Sequence, residues 1–207
     1  MAFPEVTAAT DEGLIAVGGN LSVKRLVEAY SKGIFPWFEK EEPILWWSPD
    51  PRFVLFPNKL KISKSMKALL NSGTFNVTYN QCFNLVVEHC AQIKRKGQRG
   101  SWITSSMIQA YNNLYEEGFA RSVEVWQDEV LVGGLYGVDL GNRIFSGESM
   151  FSTVSNASKY GFISLVQQKK YDLIDCQVYT KHLESLGAEM LPRAKFLRYL
   201  RQHLSKT

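Results

Sequence analysis

The sequence predicts a mixed α+β fold in which a small N-terminal domain precedes a larger domain. Residues 121–151, RSVEVWQDEVLVGGLYGVDLGNRIFSGESMF, alternate between apolar and other residues and are interrupted at QDE and DLGN, which is typical of three antiparallel strands. Helical spacing is found before this meander, and a helix–strand–helix order follows it. A boundary near residues 58–62 divides the 207 residues into domains 1–60 and 61–207.

The N-terminal part contains one predicted helix and a rigid loop. Ser22 is a suitable N-cap, Leu26 and Tyr30 follow at helical spacing, and Gly33 fits the position after the helix C-terminus. The next segment, FPWFEKEEPILWWSPDPR, holds four prolines and three tryptophans. Prolines at this density predict a rigid irregular loop. A short strand, FVLFP, follows and ends at Pro57.

Three helices are predicted between the domain boundary and the meander. They are KISKSMKALLNSG, NQCFNLVVEHCAQIKRKGQRG with a basic C-terminal end, and TSSMIQAYNNLYEEG, which Thr104 caps and Gly118 ends. After the meander, Asn156 is the expected N-cap of the helix NASKYGFISLVQQKK, and YDLIDCQV is a strand. The last helix, PRAKFLRYLRQHL, places Pro192 at its first position.

The composition is that of a globular protein. Apolar residues make up 45% and charged residues 21%, which excludes a disordered chain, and no apolar stretch approaches the ~20 residues of a membrane span. The N-terminus lacks the pattern of a signal peptide, so we expect a cytoplasmic protein. Cys82, Cys90 and Cys176 are odd in number and form no CxxC motif, which favours neither a disulfide framework nor a zinc site.

A lone carboxylate, Glu148, lies within the apolar stretch IFSGESMF at the end of the third meander strand. Burying an unpaired carboxylate is costly or raises its pKa, so its presence there indicates a function. Asp175 and Gln177 are two residues apart on a predicted strand and therefore share a face, where the Gln177 amide can bind Asp175. A right-handed crossover would bring all three residues to one sheet edge. The alternatives are an exposed ion-paired Glu148 and a purely structural Asp175–Gln177 hydrogen bond.

The positive charge is clustered, although the net charge is only +4. One group precedes or lies on the first helix after the boundary, and the other ends the second helix; they are Lys59, Lys61, Lys64 and Lys67, and Lys94, Arg95, Lys96 and Arg99. These groups are either solvated helix faces or a track for nucleic-acid phosphates. Trp37 and Trp102 could stack on an unpaired base.

Six segments together resemble one known family. They are GLIAVGGNLSVKRLVEAYSKGIFPWF, PILWWSPDPRFVLFP, SWIT, SVEVWQDEVLVGGLYGV, FSGESMFSTVSNASK and IDCQVYTKHLESLGAEMLPR. In this order they are specific, cover nearly the whole chain, and resemble the leucyl/phenylalanyl-tRNA–protein transferases, bacterial enzymes of the N-degron pathway.

The resemblance implies a C-terminal domain similar to the acyl-CoA N-acetyltransferase (GNAT) fold. It implies transfer of Leu or Phe from aminoacyl-tRNA to proteins that begin with Arg or Lys, without a metal or organic cofactor. Because apolar pockets discriminate weakly, we expect Met to be transferred as well, and we expect the protein to be a monomer. The family's catalytic residues match Asp175, Gln177 and Glu148, and its adenosine-contacting tryptophans match Trp37 and Trp102. From the charge pattern, Lys61, Lys64 and Lys67 are expected to bind the tRNA backbone.

The same resemblance implies an apolar pocket for the transferred side chain. Its position matches Leu135, Phe145 and Met150. Leu165 stands at a pocket position that is often aromatic in the family, which leaves the preference between Leu and Phe open. Two other classes are less well supported: an acetyl-CoA-dependent acetyltransferase, because MFSTVSNASK lacks a pyrophosphate loop, and a non-catalytic RNA-binding module, which leaves Glu148 unexplained.

Overall fold

The N-terminal part of the chain forms a small antiparallel sheet with one helix. A computed structural model describes residues 2–93 and 102–204. Strands β1 (Leu14–Val17), β2 (Phe35–Pro36) and β3 (Leu45–Trp47) pair in the order β1–β3–β2. Helix α1 (Val23–Ser31) connects β1 to β2, and a 3-10 turn at Val6–Ala8 precedes the sheet.

The larger sheet has seven strands and is antiparallel except for one pair. Its spatial order is β10–β4–β9–β8–β7–β6–β5, and only β8 and β9 run parallel. The parallel pair is joined through α5, which packs on the sheet. The strands are β4 (Arg52–Leu55), β5 (Asn76–Tyr79), β6 (Ala120–Gln127), β7 (Val130–Asp139), β8 (Ile144–Ser152), β9 (Leu173–Gln177) and β10 (Glu189–Leu191).

Six further helices accompany the large sheet in the described ranges. They are α2 (Lys64–Asn71), α3 (Phe83–Gln92), α4 (Ser105–Glu116), α5 (Ala157–Gln167), α6 (Lys181–Glu184) and α7 (Arg193–Leu204), with a 3-10 turn at Pro57–Lys59. Ser22 and Thr104 cap α1 and α4 as predicted, since their side chains accept from the backbone N–H groups of Arg25 and Met107. Asn156 precedes α5 as predicted, but it has a φ of 67° and its side chain makes no capping hydrogen bond.

The meander, the strand at 173–177 and all the predicted helices are confirmed, whereas several short strands were missed. The position of Pro192 is corrected: α7 begins at Arg193, so Pro192 precedes the helix and is not its first residue. The loop predicted to be irregular contains β2 and β3, in which Phe35 and Pro36 pair with Trp47 and Trp46. Helix α3 ends at Gln92, and the basic residues predicted for its end lie outside the described residues. The domain boundary at residue 60 remains a prediction; β4, which precedes it, pairs with β9 and β10 in the large sheet.

One hydrophobic core connects the small sheet to the large one. It contains Leu26 and Trp46 from the N-terminal part, Val86 and Tyr111 from helices α3 and α4, and Tyr136 from β7. These side chains are fully buried. The N-terminal part is therefore packed against the meander, and this contact defines one side of a cavity. No helix within the described ranges is long and apolar enough to cross a membrane.

Candidate active site

A cavity of about 540 Å³ opens where the pairing of β8 with β9 ends. Glu148 was expected at the end of its strand, but it lies in the middle of β8, which continues to Ser152. The parallel pairing of these strands, with Ser146 opposite Asp175, brings Glu148 and Gln177 close together beyond the last paired residues, in the middle of the sheet. Helix α5 and the N-terminal segment around Trp37 supply other walls. The structure thus brings together the three residues that the sequence singled out as catalytic.

Gln177 contacts Glu148 because the chain turns at the end of β9. Gln177 has a φ of 63°, in the left-handed region, and is the last residue of the strand. Its side-chain Nε2 donates a hydrogen bond of 2.7 Å to Glu148 Oε1. This contact fixes the orientation of the amide, so its carbonyl oxygen is left to accept from a ligand.

The Glu148 carboxylate is also bound by two buried tyrosines. Tyr30 from α1 and Tyr111 from α4 donate to its two oxygens, each at 2.6 Å, and the two hydroxyls lie 2.7 Å apart. Burial raises the pKa of Glu148 to about 7, although the hydrogen bonds from Tyr111, Tyr30 and Gln177 oppose this shift. Burial and the adjacent Glu148 charge raise the pKa of both tyrosines well above the ordinary value, so both stay protonated.

These two partners were not predicted from the sequence. Tyr30 fits the apolar face of a helix, and Tyr111 lies within a predicted helix with no motif that marks it. A usable signal was present, because a buried tyrosine hydroxyl needs a hydrogen-bond partner and the apolar segments of this chain offer few carboxylates.

Asp175 is paired with an arginine, so its predicted bond to the Gln177 side-chain amide is wrong. Arg52 donates through Nε and Nη2 to the two Asp175 oxygens, both at 2.7 Å, and both side chains are 1% exposed. The guanidinium lies between the rings of Phe35 and Phe196, at 4.7 and 4.8 Å from their centroids. The backbone N–H of Gln177 donates to Asp175 at 3.0 Å, so Asp175 fixes the turn while the side chain of Gln177 points to Glu148.

Three of the four predicted pocket residues line the cavity. Leu135 and Met150 are cross-strand neighbours on β7 and β8, and Phe145 contributes from the same sheet. Leu165 is not on the wall; it is 2% exposed in the hydrophobic core. Phe162, three residues earlier on the same helix, lines the cavity instead.

The predicted nucleic-acid contacts are divided between the cavity and the surface. Trp37, 44% exposed, and Trp102, partly buried, both line the cavity. Lys61, Lys64 and Lys67 are exposed and lie outside the cavity wall. The second basic group, at residues 94–99, is outside the described residues. Within the described ranges, no group of three or more His, Cys, Asp or Glu is placed to hold a metal ion.

Comparison with known proteins identifies the family. Residues 54–201 match the family model for leucyl/phenylalanyl-tRNA protein transferase, and residues 19–50 match the model for its N-terminal domain. The chain is 57% identical over 202 residues to the leucyl/phenylalanyl-tRNA–protein transferase of Flavobacterium johnsoniae, covering 96% of this chain and 95% of that one. It is 55% identical to the same enzyme of Christiangramia forsetii, again covering 96% and 95%.

The chain belongs to the leucyl/phenylalanyl-tRNA–protein transferase family. It is therefore an aminoacyltransferase, and the resemblance noted in the sequence is confirmed. Among solved structures, FemX matches with a TM-score of 0.53 at 9% identity, over 81% of this chain and 66% of that one. A GCN5-related N-acetyltransferase from Kribbella flavida matches with a TM-score of 0.38 at 8% identity, over 81% of this chain and 59% of that one. The predicted fold class, a small N-terminal domain ahead of a GNAT-like α+β domain, is confirmed.

The cavity has the chemical groups that a leucyl/phenylalanyl-tRNA–protein transferase needs to bind an amine and accept its proton. The walls are mostly apolar, and one carboxylate with a pKa of about 7 lies among them. A group with this pKa can both bind an amine and exchange its proton near neutral pH.

Proposed function

We propose that the chain transfers Leu, Phe or Met from aminoacyl-tRNA to the N-terminal Arg or Lys of acceptor proteins, which marks them for the N-degron pathway in the cytoplasm. It acts as a monomer, without a metal or organic cofactor. The observation that carries the proposal is the Glu148 carboxylate in an apolar cavity, bound by Tyr30, Tyr111 and Gln177.

The donor carries an ester between its amino acid and the ribose of the 3′-terminal adenosine. The adenine stacks against Trp37 and Trp102 at the cavity mouth, and the transferred side chain occupies the space beside Leu135, Phe145 and Met150. Leu and Met fit such a wall because they are unbranched at Cβ, and apolar pockets discriminate weakly between side chains of similar volume.

Glu148 accepts the proton of the attacking amine. The acceptor amine attacks the ester carbonyl, the new C–N bond forms, and the bond between the carbonyl carbon and the ribose oxygen breaks. Protonated Glu148 then returns the proton to that oxygen, which leaves a free ribose hydroxyl on the tRNA and an ionised Glu148. Oε2 of Glu148 accepts from Tyr111 and retains a lone pair for the amine N–H. Its pKa of about 7 makes it a better proton acceptor than a neutral amide.

Gln177 and Asp175 have supporting roles in this scheme. The carbonyl oxygen of Gln177 accepts a second N–H from the amine and orients it toward the ester. Asp175 acts through the turn, because it accepts from Arg52 and from the backbone N–H of Gln177. Most of the rate enhancement then comes from positioning, since the ester is already activated.

Incubation with radiolabelled leucyl-tRNA and a peptide beginning with Arg tests the proposal directly. We expect label at the peptide N-terminus, with none on a matched peptide beginning with Glu. Glu148→Ala, Asp175→Ala and Gln177→Ala should lower kcat rather than raise KM alone. Label transfer from acetyl-CoA in place of leucyl-tRNA would overturn the proposal in favour of an acetyltransferase.

A further inference from the structure

A second cavity, of about 300 Å³, adjoins the first one. The two share three wall residues, Ser152, Ser158 and His182. The rest of the second wall comes from residues 153–156, between β8 and α5, and from Lys159 on α5; only Val154 among them is apolar. A ligand in the main cavity can therefore extend into this smaller polar space.

Lys159 gives the second cavity its charge. Among the described residues that line it, Lys159 alone has a permanent charge, and no described carboxylate lies within ion-pair distance of its ammonium. The side chain is partly buried. A partly buried cation without a counter-charge is costly on its own, so an anionic ligand is its natural partner.

Neutral donors accompany this cation. Asn156 lines the cavity, and its side chain makes no capping hydrogen bond to α5. His182 Nε2 is shielded from solvent and has no hydrogen-bond partner within the described part of the chain, which is uncommon for a buried polar atom. Burial and the Lys159 charge lower the pKa of His182, so the imidazole is neutral and can donate through one nitrogen. Hydroxyls of Thr153 and Ser155 complete the wall.

We infer that the second cavity is a phosphate subsite, which takes the phosphodiester next to the 3′-terminal adenosine of the donor. The inference rests on the proposed function, because the donor places this phosphate one ribose away from both the adenine and the ester. The wall has one cation, several N–H and O–H donors and no carboxylate. Such a wall can bind the negatively charged oxygens of a phosphate group. This subsite would bind the phosphate beside the reacting end of the tRNA, whereas the exposed Lys61, Lys64 and Lys67 are expected to bind phosphates elsewhere on the tRNA backbone.

The test compares two stable donor analogues by calorimetry. Both are 3′-leucylamino-3′-deoxyadenosine, an amide in place of the ester, and one also carries a 5′-phosphate. We expect the phosphate to tighten binding to the unmodified chain by about tenfold to a hundredfold, as hydrogen bonds to charged groups do. Lys159→Met should abolish this gain, and Lys159→Arg should retain most of it. Exposed Lys195 provides the charge-matched control, and Lys195→Met should keep the full gain.

The outcomes separate the subsite from the proposed function. If the analogue without phosphate binds but the phosphate adds nothing, or if the gain survives in Lys159→Met, the subsite is wrong while the donor site stands. If neither analogue binds the unmodified chain, the proposed function fails and the inference fails with it. Equal affinity of all variants for the unphosphorylated analogue, together with equal melting temperatures, shows that Lys159→Met has not damaged the main cavity.

Discussion

At the scale of single residues, the number of hydroxyl protons among Glu148, Tyr30 and Tyr111 determines how many of their short contacts can be hydrogen bonds. Their oxygens make three short contacts, two of 2.6 Å and one of 2.7 Å. The two hydroxyls supply only two protons, so all three contacts are hydrogen bonds only when Glu148 is protonated. This count agrees in direction with the pKa of about 7 that burial gives to Glu148. The site thus holds a carboxyl group that changes charge in the working pH range.

Tyr111→Phe should move the pH dependence of the reaction to higher pH. The Tyr111 hydroxyl stabilises the ionised form of Glu148 and so lowers its pKa. Without it, a base that is active only when ionised should need a pH about one to two units higher, since such a bond contributes about 1.5–3 kcal/mol. The measurement is kcat/KM between pH 5.5 and 9.

Tyr115→Phe is the control for Tyr111→Phe, because Tyr115 lies on the same helix and donates to the Asn80 carbonyl instead. Its pH profile should match that of the unmodified chain. Identical midpoints for Tyr111→Phe and Tyr115→Phe would show that Glu148 is not the titrating base.

Removing Arg52 should be more harmful than removing Arg52 and Asp175 together. Arg52→Met leaves Asp175 buried without its counter-charge, which costs about 3–5 kcal/mol, whereas replacing both members of a buried pair is often nearly neutral. We expect Arg52→Met/Asp175→Asn to recover much of the lost unfolding free energy, measured by urea denaturation. The double variant should remain slow in transfer, because the neutral amide that replaces the Asp175 carboxylate is a weaker acceptor for the backbone N–H of Gln177. Additive losses of stability would argue against this coupling.

At the scale of elements, regular patterns were predictable and tertiary partners were not. The alternation in 121–151 and the spacing around Ser22 and Thr104 follow from local physics, and the structure has those elements. The single-residue turn at Gln177 reverses the direction of one side chain, and a strand pattern of period two carries no sign of it. Arg52 lies 123 residues from Asp175 in the chain, and the prolines at positions 49 and 51 before it make it resemble an ordinary loop cation.

Helix α5 contributes side chains both to the cavity wall and to the hydrophobic core. Leu165 faces the core and Phe162 faces the cavity. Leu165→Phe should overpack the core at a cost of about 1–3 kcal/mol and leave the ratio of Leu to Phe transfer unchanged. Phe162→Leu should enlarge the pocket and raise Phe transfer relative to Leu. Competition between leucyl- and phenylalanyl-tRNA, with melting temperatures, measures both effects; a shifted ratio in Leu165→Phe would return that residue to the pocket.

Helix α2 and the turn before it present the lysines proposed to bind tRNA. Lys61, Lys64 and Lys67 are exposed, whereas nearby Lys59 is held by Glu189. Neutralising the three should weaken aminoacyl-tRNA binding and flatten the log–log dependence of affinity on salt by about one unit per lost contact. Filter binding across salt concentrations measures the slope. An equal charge change at the exposed residues Lys24, Lys40 and Lys195 is the control, and equal slopes would exclude the α2 contact.

At the scale of the whole molecule, the cavity depends on the contact between the two sheets. The small sheet contributes Trp37 to the cavity wall and Trp46 to the shared core. Trp46 is fully buried, and its indole N–H donates to the Gly18 carbonyl at 2.9 Å. Two tryptophans nine positions apart therefore serve binding and stability separately, which allows the two contributions to be measured in one part of the fold.

Trp37→Ala and Trp46→Ala should have opposite effects on affinity and stability. Trp37 is 44% exposed, so its loss should change the melting temperature little, while donor affinity falls by about tenfold to a hundredfold through lost base stacking of ~1–3 kcal/mol. Trp46→Ala empties a core site and should cost about 3–5 kcal/mol of unfolding free energy. Calorimetry with the unphosphorylated donor analogue, at a temperature where both variants are folded, gives the affinities, and thermal unfolding gives the stabilities. A large loss of stability in Trp37→Ala without a loss of donor affinity would place that indole in the core and leave the adenine without its stacking surface on the small sheet.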